Sequence, residues 1–216
     1  SHARQENSEN IGSLCDHWFN CKNATHKIRS KEARNIPFKE KRSTAIWRGK
    51  NTGRGDINHH AKKVSRKQFC DHFKDSNIID SKIVTHFGGP EAVNMYEQAS
   101  NHKYLIFLEG NDTGSSVYWT FHNQNITLIP EHRDWCSVWD FYLRPWVHYV
   151  PFTFLVEDNQ VCTDIEEKIE WCESNQSKCK EIILNANLLS DEMLNESLEM
   201  DVLKNMITQY NRNIIV

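Results

Sequence analysis

The chain has 216 residues, 38% hydrophobic and 25% charged, with a formal net charge of -3. That length allows one large domain or two small ones and would bury about 70% of the extended chain's surface on folding. No run approaches the roughly 18 apolar residues of a membrane helix, and the opening SHARQENSEN lacks the apolar centre of a signal peptide.

Charge is unevenly spread. Residues 1–75 carry 17 Lys+Arg against 8 Asp+Glu, and the remainder is acidic. A basic front half attracts phosphate on a nucleotide, a nucleic acid or a lipid surface, but it equally describes a solvated face balancing an acidic helical region. Aromatic residues interleave poorly with these basic ones, which argues against nucleic acid. The seven Cys cannot all pair internally; Cys15 with Cys21 and Cys172 with Cys179 are close enough in sequence to do so, and no Cys/His spacing points to zinc. Sequons begin at Asn23, Asn111, Asn125, Asn175 and Asn195. Asn111 and Asn125 fall in or beside the site derived below, which favours a cytosolic, reduced setting over the endoplasmic reticulum lumen.

Residues 1–36 read as a polar, irregular lead-in with an island at Leu14 to Cys21. Ser43 to Trp47 is a β-type run followed by the loop Gly49 to Gly55, whose three glycines suit a phosphate turn although the spacing is neither GxGxxG nor a Walker loop. A helix is expected over Asn58 to Phe73, with Ala61, Val64 and Phe69 or Phe73 inward and Lys62, Lys63, Arg66 and Lys67 toward solvent. Ile78 to Val84 reads as a strand, Gly88-Gly89-Pro90 as punctuation, and Glu91 to Ala99 as a short helix. Next come a strand (Tyr104 to Leu108), a small-residue turn (Gly110 to Ser116), a helical segment (Val117 to Phe121), a strand (Ile126 to Ile129) and the run PWVHYVP (Pro145 to Pro151). Thr163-x-x-Glu166 predicts a capping box opening a helix with Ile165, Ile169 and Cys172 inward. A last helix after Ser190 carries Met193, Leu194, Leu198, Val202, Leu203, Met206 and Tyr210. Strand, turn, helix and strand make a βαβ unit whose turn lies at the carboxyl edge of a parallel sheet, where ligands bind. The fold class is α/β.

The segments KYLIFLEG (Lys103 to Gly110), LRPWVHYVP (Leu143 to Pro151) and PFKEKRSTAIWRG (Pro37 to Gly49) resemble the Rumi-like protein O-glucosyltransferases and fungal capsule-associated proteins, one family of inverting glycosyltransferases. The likeness covers residues 37–210. It implies a GT-B-like arrangement of two Rossmann-like domains across a cleft. Residues 1–36 would be the remnant of a shortened or incomplete acceptor-side part, and 37–216 the nucleotide-sugar-binding domain with C-terminal helices. The implied donor is a UDP-sugar carrying glucose or xylose, and the acceptor a glycan, glycoprotein or polysaccharide. No cofactor or metal is implied, and the chain contains no Asp-x-Asp, which fits a diphosphate neutralised by Arg and backbone N–H groups.

Carried over residue by residue, Arg48 becomes a diphosphate ligand, with a structural pairing to an acidic neighbour as its alternative, and Gly49 and Arg54 stand beside it. Gly110 matches the family's phosphate turn, and Thr113, Gly114 and Ser115 keep its small polar character. Ser116 stands where the family has arginine, so either another cation such as Arg54 or Arg133 replaces it, or donor affinity is reduced, or the enzyme is degenerate. Trp135 matches a family tryptophan. Asp140 substitutes for an acidic residue expected at Ser137, unless it is only a helix-surface acid. His148 lines the cleft or anchors a turn, and its apolar neighbours favour the anchor. The family's general base has no counterpart; Asp16 is the only acidic residue in a suggestive upstream context. The same substitutions also fit a non-catalytic UDP-sugar or glycan-binding module.

Overall fold

The computed structural model describes residues 4–5, 33–52, 65–86, 89–110, 116–133, 135–136, 138–157 and 160–213. Asp16, Arg54, Asn111, Thr113, Gly114, Ser115 and Ser137 lie outside them. At the centre is a five-stranded, wholly parallel sheet of β2 (Arg42–Gly49), β3 (Ile79–Ile83), β4 (His102–Ile106), β5 (Ile126–Pro130) and β7 (Val150–Phe152), in the order β3-β2-β4-β5-β7. Every residue of β4 and β5 is buried, as expected of strands covered on both faces. Two short antiparallel pairs flank the sheet: β1 (Arg4–Gln5) with β6 (Trp135–Cys136), and β8 (Phe154–Glu157) with β9 (Gln160–Thr163).

Helices cover both faces. On one, Phe69 from α1 (Arg66–His72) and Phe73, its C-cap, join Ile165, Ile169, Cys172, Ile182 and Ile183 from α4 (Ile165–Ser174) and α5 (Gln176–Met193) over Ala45, Trp47, Tyr104 and Ile106. On the other, Ala99 of α2 (Met95–Asn101) and Trp119 of α3 (Ser116–Thr120) pack on Ile46 and Leu105. The last helix, α6, spans Glu196–Asn213. In this doubly wound sheet the chain first steps from β2 to β3 and then returns past β2 to β4, so the topological switch point lies between β2 and β4. Among the described residues no helix is long and apolar enough to cross a membrane.

Local chemistry sets the helix ends. Ser65 caps α1: its hydroxyl accepts from the Gln68 N–H and Gln68 Oε1 accepts from the Ser65 N–H at 2.8 Å, which sets the start at Arg66; Asn58 to Val64 of the expected helix lie outside the described residues. An equivalent box between Asn94 and Glu97 starts α2 at Met95 rather than Glu91. The box expected at Thr163 does not form. Asp164 is the cap, and its Oδ1 instead accepts the Thr153 N–H at 2.6 Å. Ile165, Ile169 and Cys172 do face inward. Helix α5 is the element sequence periodicity misses: its buried face, Cys179, Ile182, Ile183, Ala186, Asn187 and Ser190, has helical spacing but is interrupted by polar residues. Cys172 and Cys179, across the α4–α5 junction, are free thiols, with Cys179 Sγ donating to the Cys172 carbonyl at 3.4 Å.

The amino edge of the sheet is closed by paired polar groups. Lys41 Nζ donates to the Gln124 carbonyl at 2.6 Å and Asn125 Oδ1 at 3.0 Å, while Asn125 Nδ2 donates to the carbonyls of Ala99 and His102. Asn125 is thus 2% exposed and at the edge opposite the expected site, not beside it; a glycan there is incompatible with this packing. Lys103 Nζ donates to Ser43 Oγ and Glu173 Oε2, and His102 Nδ1 lies 2.8 Å from Thr44 Oγ1. In PWVHYVP, Trp146 takes a left-handed φ of 62° and its N–H donates to the Tyr149 carbonyl, while its ring packs edge-on against Trp171. Pro151 lies in β7, an outer strand, where a missing N–H is tolerated.

Two stability changes follow. Leu128→Ala, in the middle of β5, should cost about 2–5 kcal/mol in urea unfolding, as a fully buried leucine deletion does. Burial lowers the His102 pKa from 6.5 to about 4, so the unfolded chain binds a proton that the folded chain refuses between those values. Stability should therefore be lost as pH falls from about 6.5 to about 4, by roughly 2–3 kcal/mol from this group. Unfolding curves at pH 7.5, 5.5 and 4 should show a shallower pH dependence for His102→Gln than for the parent.

Candidate functional site

Parallel strands bring their carboxyl ends to one edge, so the switch point opens between the loop leaving β2 and the turn leaving β4. Strand β2 ends in Trp47-Arg48-Gly49, whose side chains alternate between faces. The Trp47 indole folds over Gly49, where an added Cβ would sit 2.5 Å from Trp47 Cζ2. Arg48 turns to the other face. Its Nη2 donates to Asp80 Oδ2 at 2.7 Å, Nη1 to the carbonyls of Asp80 and Trp47 at 2.8 and 2.9 Å, and Nε to the Glu91 carbonyl at 3.0 Å. With its side chain only 6% exposed, Arg48 holds the structural pairing weighed as its alternative and fastens β2 to β3 and the approach to α2.

Phe107 to Gly110 continue β4 and are all buried. Between this turn and the β2 loop lies a side chain that helical periodicity assigns to solvent, Arg66. It stands in the first turn of α1, which the Ser65–Gln68 box places against the same edge. Its Nε and Nη2 donate to the carbonyls of Glu109 and Leu108 at 2.8 and 2.7 Å, and its Nη1 to the Lys50 carbonyl and Thr52 Oγ1 at 3.0 and 2.8 Å. The guanidinium also stacks on Trp47, 5.3 Å from the ring centroid. The sequence signal that could have found Arg66 is the capping box, which fixes the helix start and hence its first turn.

Past the carboxyl end of β5, Arg133 Nη1 lies 2.5 Å from Asp140 Oδ1. Burial lowers the Arg133 pKa, but the Asp140 carboxylate, with help from Tyr149 and Glu109, reverses this and raises it. Asp140 is therefore an ion partner of Arg133, next to the exposed rings of Phe141 and Tyr142. Trp135 lies in β6, opposite Gln5 of β1. His148 precedes β7 and so sits at the amino edge. Its Nδ1 accepts from the Arg144 N–H at 2.9 Å and its own N–H returns a bond to the Arg144 carbonyl. Burial, and then the Arg144 charge, lowers its pKa. The structure thus brings Gly49 and Gly110 to the switch point with Arg48 behind β2, and Ser116 opens α3; Asp140 stands at the same edge beyond β5, and His148 at the opposite one. Among the described residues no group of three or more His, Cys, Asp or Glu is arranged to hold a metal ion.

Residues 19–215 match glycosyl transferase family 90. The chain belongs to this family. Among relatives, it is 23% identical over 218 residues to the uncharacterized protein 179R of Invertebrate iridescent virus 6, covering 85% of this chain and 18% of that protein. It is 25% identical over 155 residues to the O-glucosyltransferase LpsA of Dichelobacter nodosus, covering 70% of this chain and 44% of LpsA. The uncharacterized protein 035R of Invertebrate iridescent virus 3 is 25% identical over 116 residues, covering 53% of this chain and 10% of that protein. The chain spans less than half the length of each of these relatives.

In this family 90 chain Arg48 depends on its carboxylate. Asp80→Ala should leave a buried guanidinium short of its acceptor and cost about 1–3 kcal/mol in chemical denaturation, whereas Asp80→Glu should recover part of the loss.

Proposed function

We propose that the chain is the donor-binding part of an inverting, metal-independent glycosyltransferase of the Rumi-like kind, in a GT-B arrangement. It would move glucose or xylose from a UDP-sugar to a hydroxyl of a glycan, glycoprotein or polysaccharide. The observation that carries this reading is that the WRG segment and the Gly110 turn, distant in sequence, meet at the switch point of a doubly wound sheet. LpsA, an O-glucosyltransferase by name, supports glucose as the donor sugar.

Departure of UDP leaves negative charge on the diphosphate, which has to be met by fixed N–H groups and cations. In this reading the turn Gly110 to Ser116, including Thr113, Gly114 and Ser115, holds the diphosphate through amides and hydroxyls. Arg54 and Arg48 supply positive charge, Arg48 from behind β2 while it stays on Asp80. Trp135 and Asp140 are assigned to the donor, Asp140 as an acceptor for a ribose or sugar hydroxyl. The base that deprotonates the acceptor is unassigned. A second reading, a module that binds UDP-sugar without transferring it, is favoured by the Arg48 guanidinium being spent on Asp80 and by Ser116 standing in the family's arginine position.

UDP release from UDP-glucose and UDP-xylose, with candidate acceptors and with or without EDTA, separates the two readings. Transfer predicts release that EDTA does not suppress, preferring one donor, and reduced roughly tenfold or more by Arg48→Ala, as for loss of one electrostatic stabiliser. Calorimetric binding of UDP with no release would leave the module. Absence of UDP binding at millimolar concentration would end both.

A further inference from the structure

We infer that Arg66 is the positioning residue of the nucleoside-diphosphate site, clamping the loop after β2 to the turn after β4 across the switch point. This rests on the site proposed above, and its supports are geometric. The planar fork of the guanidinium divides its work: the Nε and Nη2 edge takes the consecutive carbonyls of Glu109 and Leu108, and Nη1 takes Lys50 and Thr52 on the other loop. A lysine, with all its donors on one atom, cannot span four acceptors on two segments in this way. Trp47 backs the guanidinium from the sheet, and Gly49 makes room for the Trp47 ring.

Gly110 makes room for the guanidinium itself. Its backbone is not in the left-handed region, so conformation does not demand glycine there; space does. A Cβ would lie 3.0 and 3.1 Å from Arg66 Nη2 and Cζ and 2.8 Å from Thr52 Oγ1. Glycine at this position of the turn is thus explained by Thr52 and Arg66 together, the hydroxyl being held in place by the guanidinium.

The clamp also fixes the direction of the turn's peptides. The described peptide bonds are trans, and in a trans peptide the carbonyl and the following N–H point opposite ways. With the Leu108 and Glu109 carbonyls held on Arg66, the N–H groups of Glu109 and Gly110 are directed away from it. Arg66 acts on a diphosphate through these peptides and through its charge. It is a positioning residue, and no ligand contact of its own is needed.

The test compares the parent with Arg66→Ala, Arg66→Lys, Gly110→Ala and the Arg66→Ala/Gly110→Ala double variant. Two readouts are used: UDP binding by calorimetry, and amide hydrogen exchange of the ligand-free proteins. Each single variant should weaken UDP binding roughly tenfold or more, and the double variant no more than Arg66→Ala alone, because both substitutions break one contact. Exchange should rise at residues 50–52 and 107–110 while α4 and α5 stay as protected as in the parent. Parental UDP affinity in Arg66→Ala, recovery by the lysine, additive losses in the double variant, or exchange raised equally in α4 and α5 would each overturn the role. A parent that binds no UDP would instead overturn the diphosphate site itself, so the two failures are distinct.

Discussion

Parallel pairing of β2 on both sides is the constraint on which everything else depends. Ala45 faces Ile79 of β3 on one side and Tyr104 of β4 on the other, and with strands about 4.8 Å apart this brings two loops of very different chain position within one side chain's reach. The alternation of side chains along β2 then distributes the work: Trp47 goes to the face of α1, and Arg48 to the face of α2. A single tripeptide thereby stitches the strand to its neighbours on both faces, and Gly49 is what the Trp47 ring requires.

The two edges of the sheet solve the same electrostatic problem for different ends. At the amino edge Lys41, His102, Lys103 and Asn125 are buried against fixed acceptors and side chains, and the low pKa of His102 and of Lys41, at about 7, reflects the cost of charging groups out of water. At the carboxyl edge Arg48, Arg66 and Arg133 stay charged however they are buried, and each is engaged by carbonyls or carboxylates. Buried polar pairs, the Lys103–Glu173 ion pair among them, seal one edge, and arginine charge is kept at the other.

Much of this was legible in the sequence. The strands and the helix of the unit from Lys103 to Phe152 read correctly because the strands are continuous apolar runs, the strongest local signal. The α/β class, the parallel sheet and the inward face of α4 follow from the same patterns. What was not legible depends on partners far along the chain. Helix α5 hides because Asn187 and Ser190, polar by type, are buried against the Asn123 carbonyl and His122, which no local pattern reveals. Asp164 leaves its own helix to bind Thr153, so the cap signature beside it misleads. Helical periodicity turns Arg66 toward solvent because it shows which face a residue occupies and not what stands over its first turn. The sequence context of Arg48 points to a phosphate, yet its acceptors come from β3 and the approach to α2, segments its own neighbourhood does not announce.

Pro151 gives the sheet a boundary. It lies opposite Ile129 in β7, whose other side has no strand among the described residues. An outer strand normally offers a row of N–H and C=O groups on which another chain can add, and the pyrrolidine ring breaks that row in the middle of a three-residue strand. The run Pro145 to Pro151 therefore also works against growth by strand addition, a task of solubility and not of sugar chemistry.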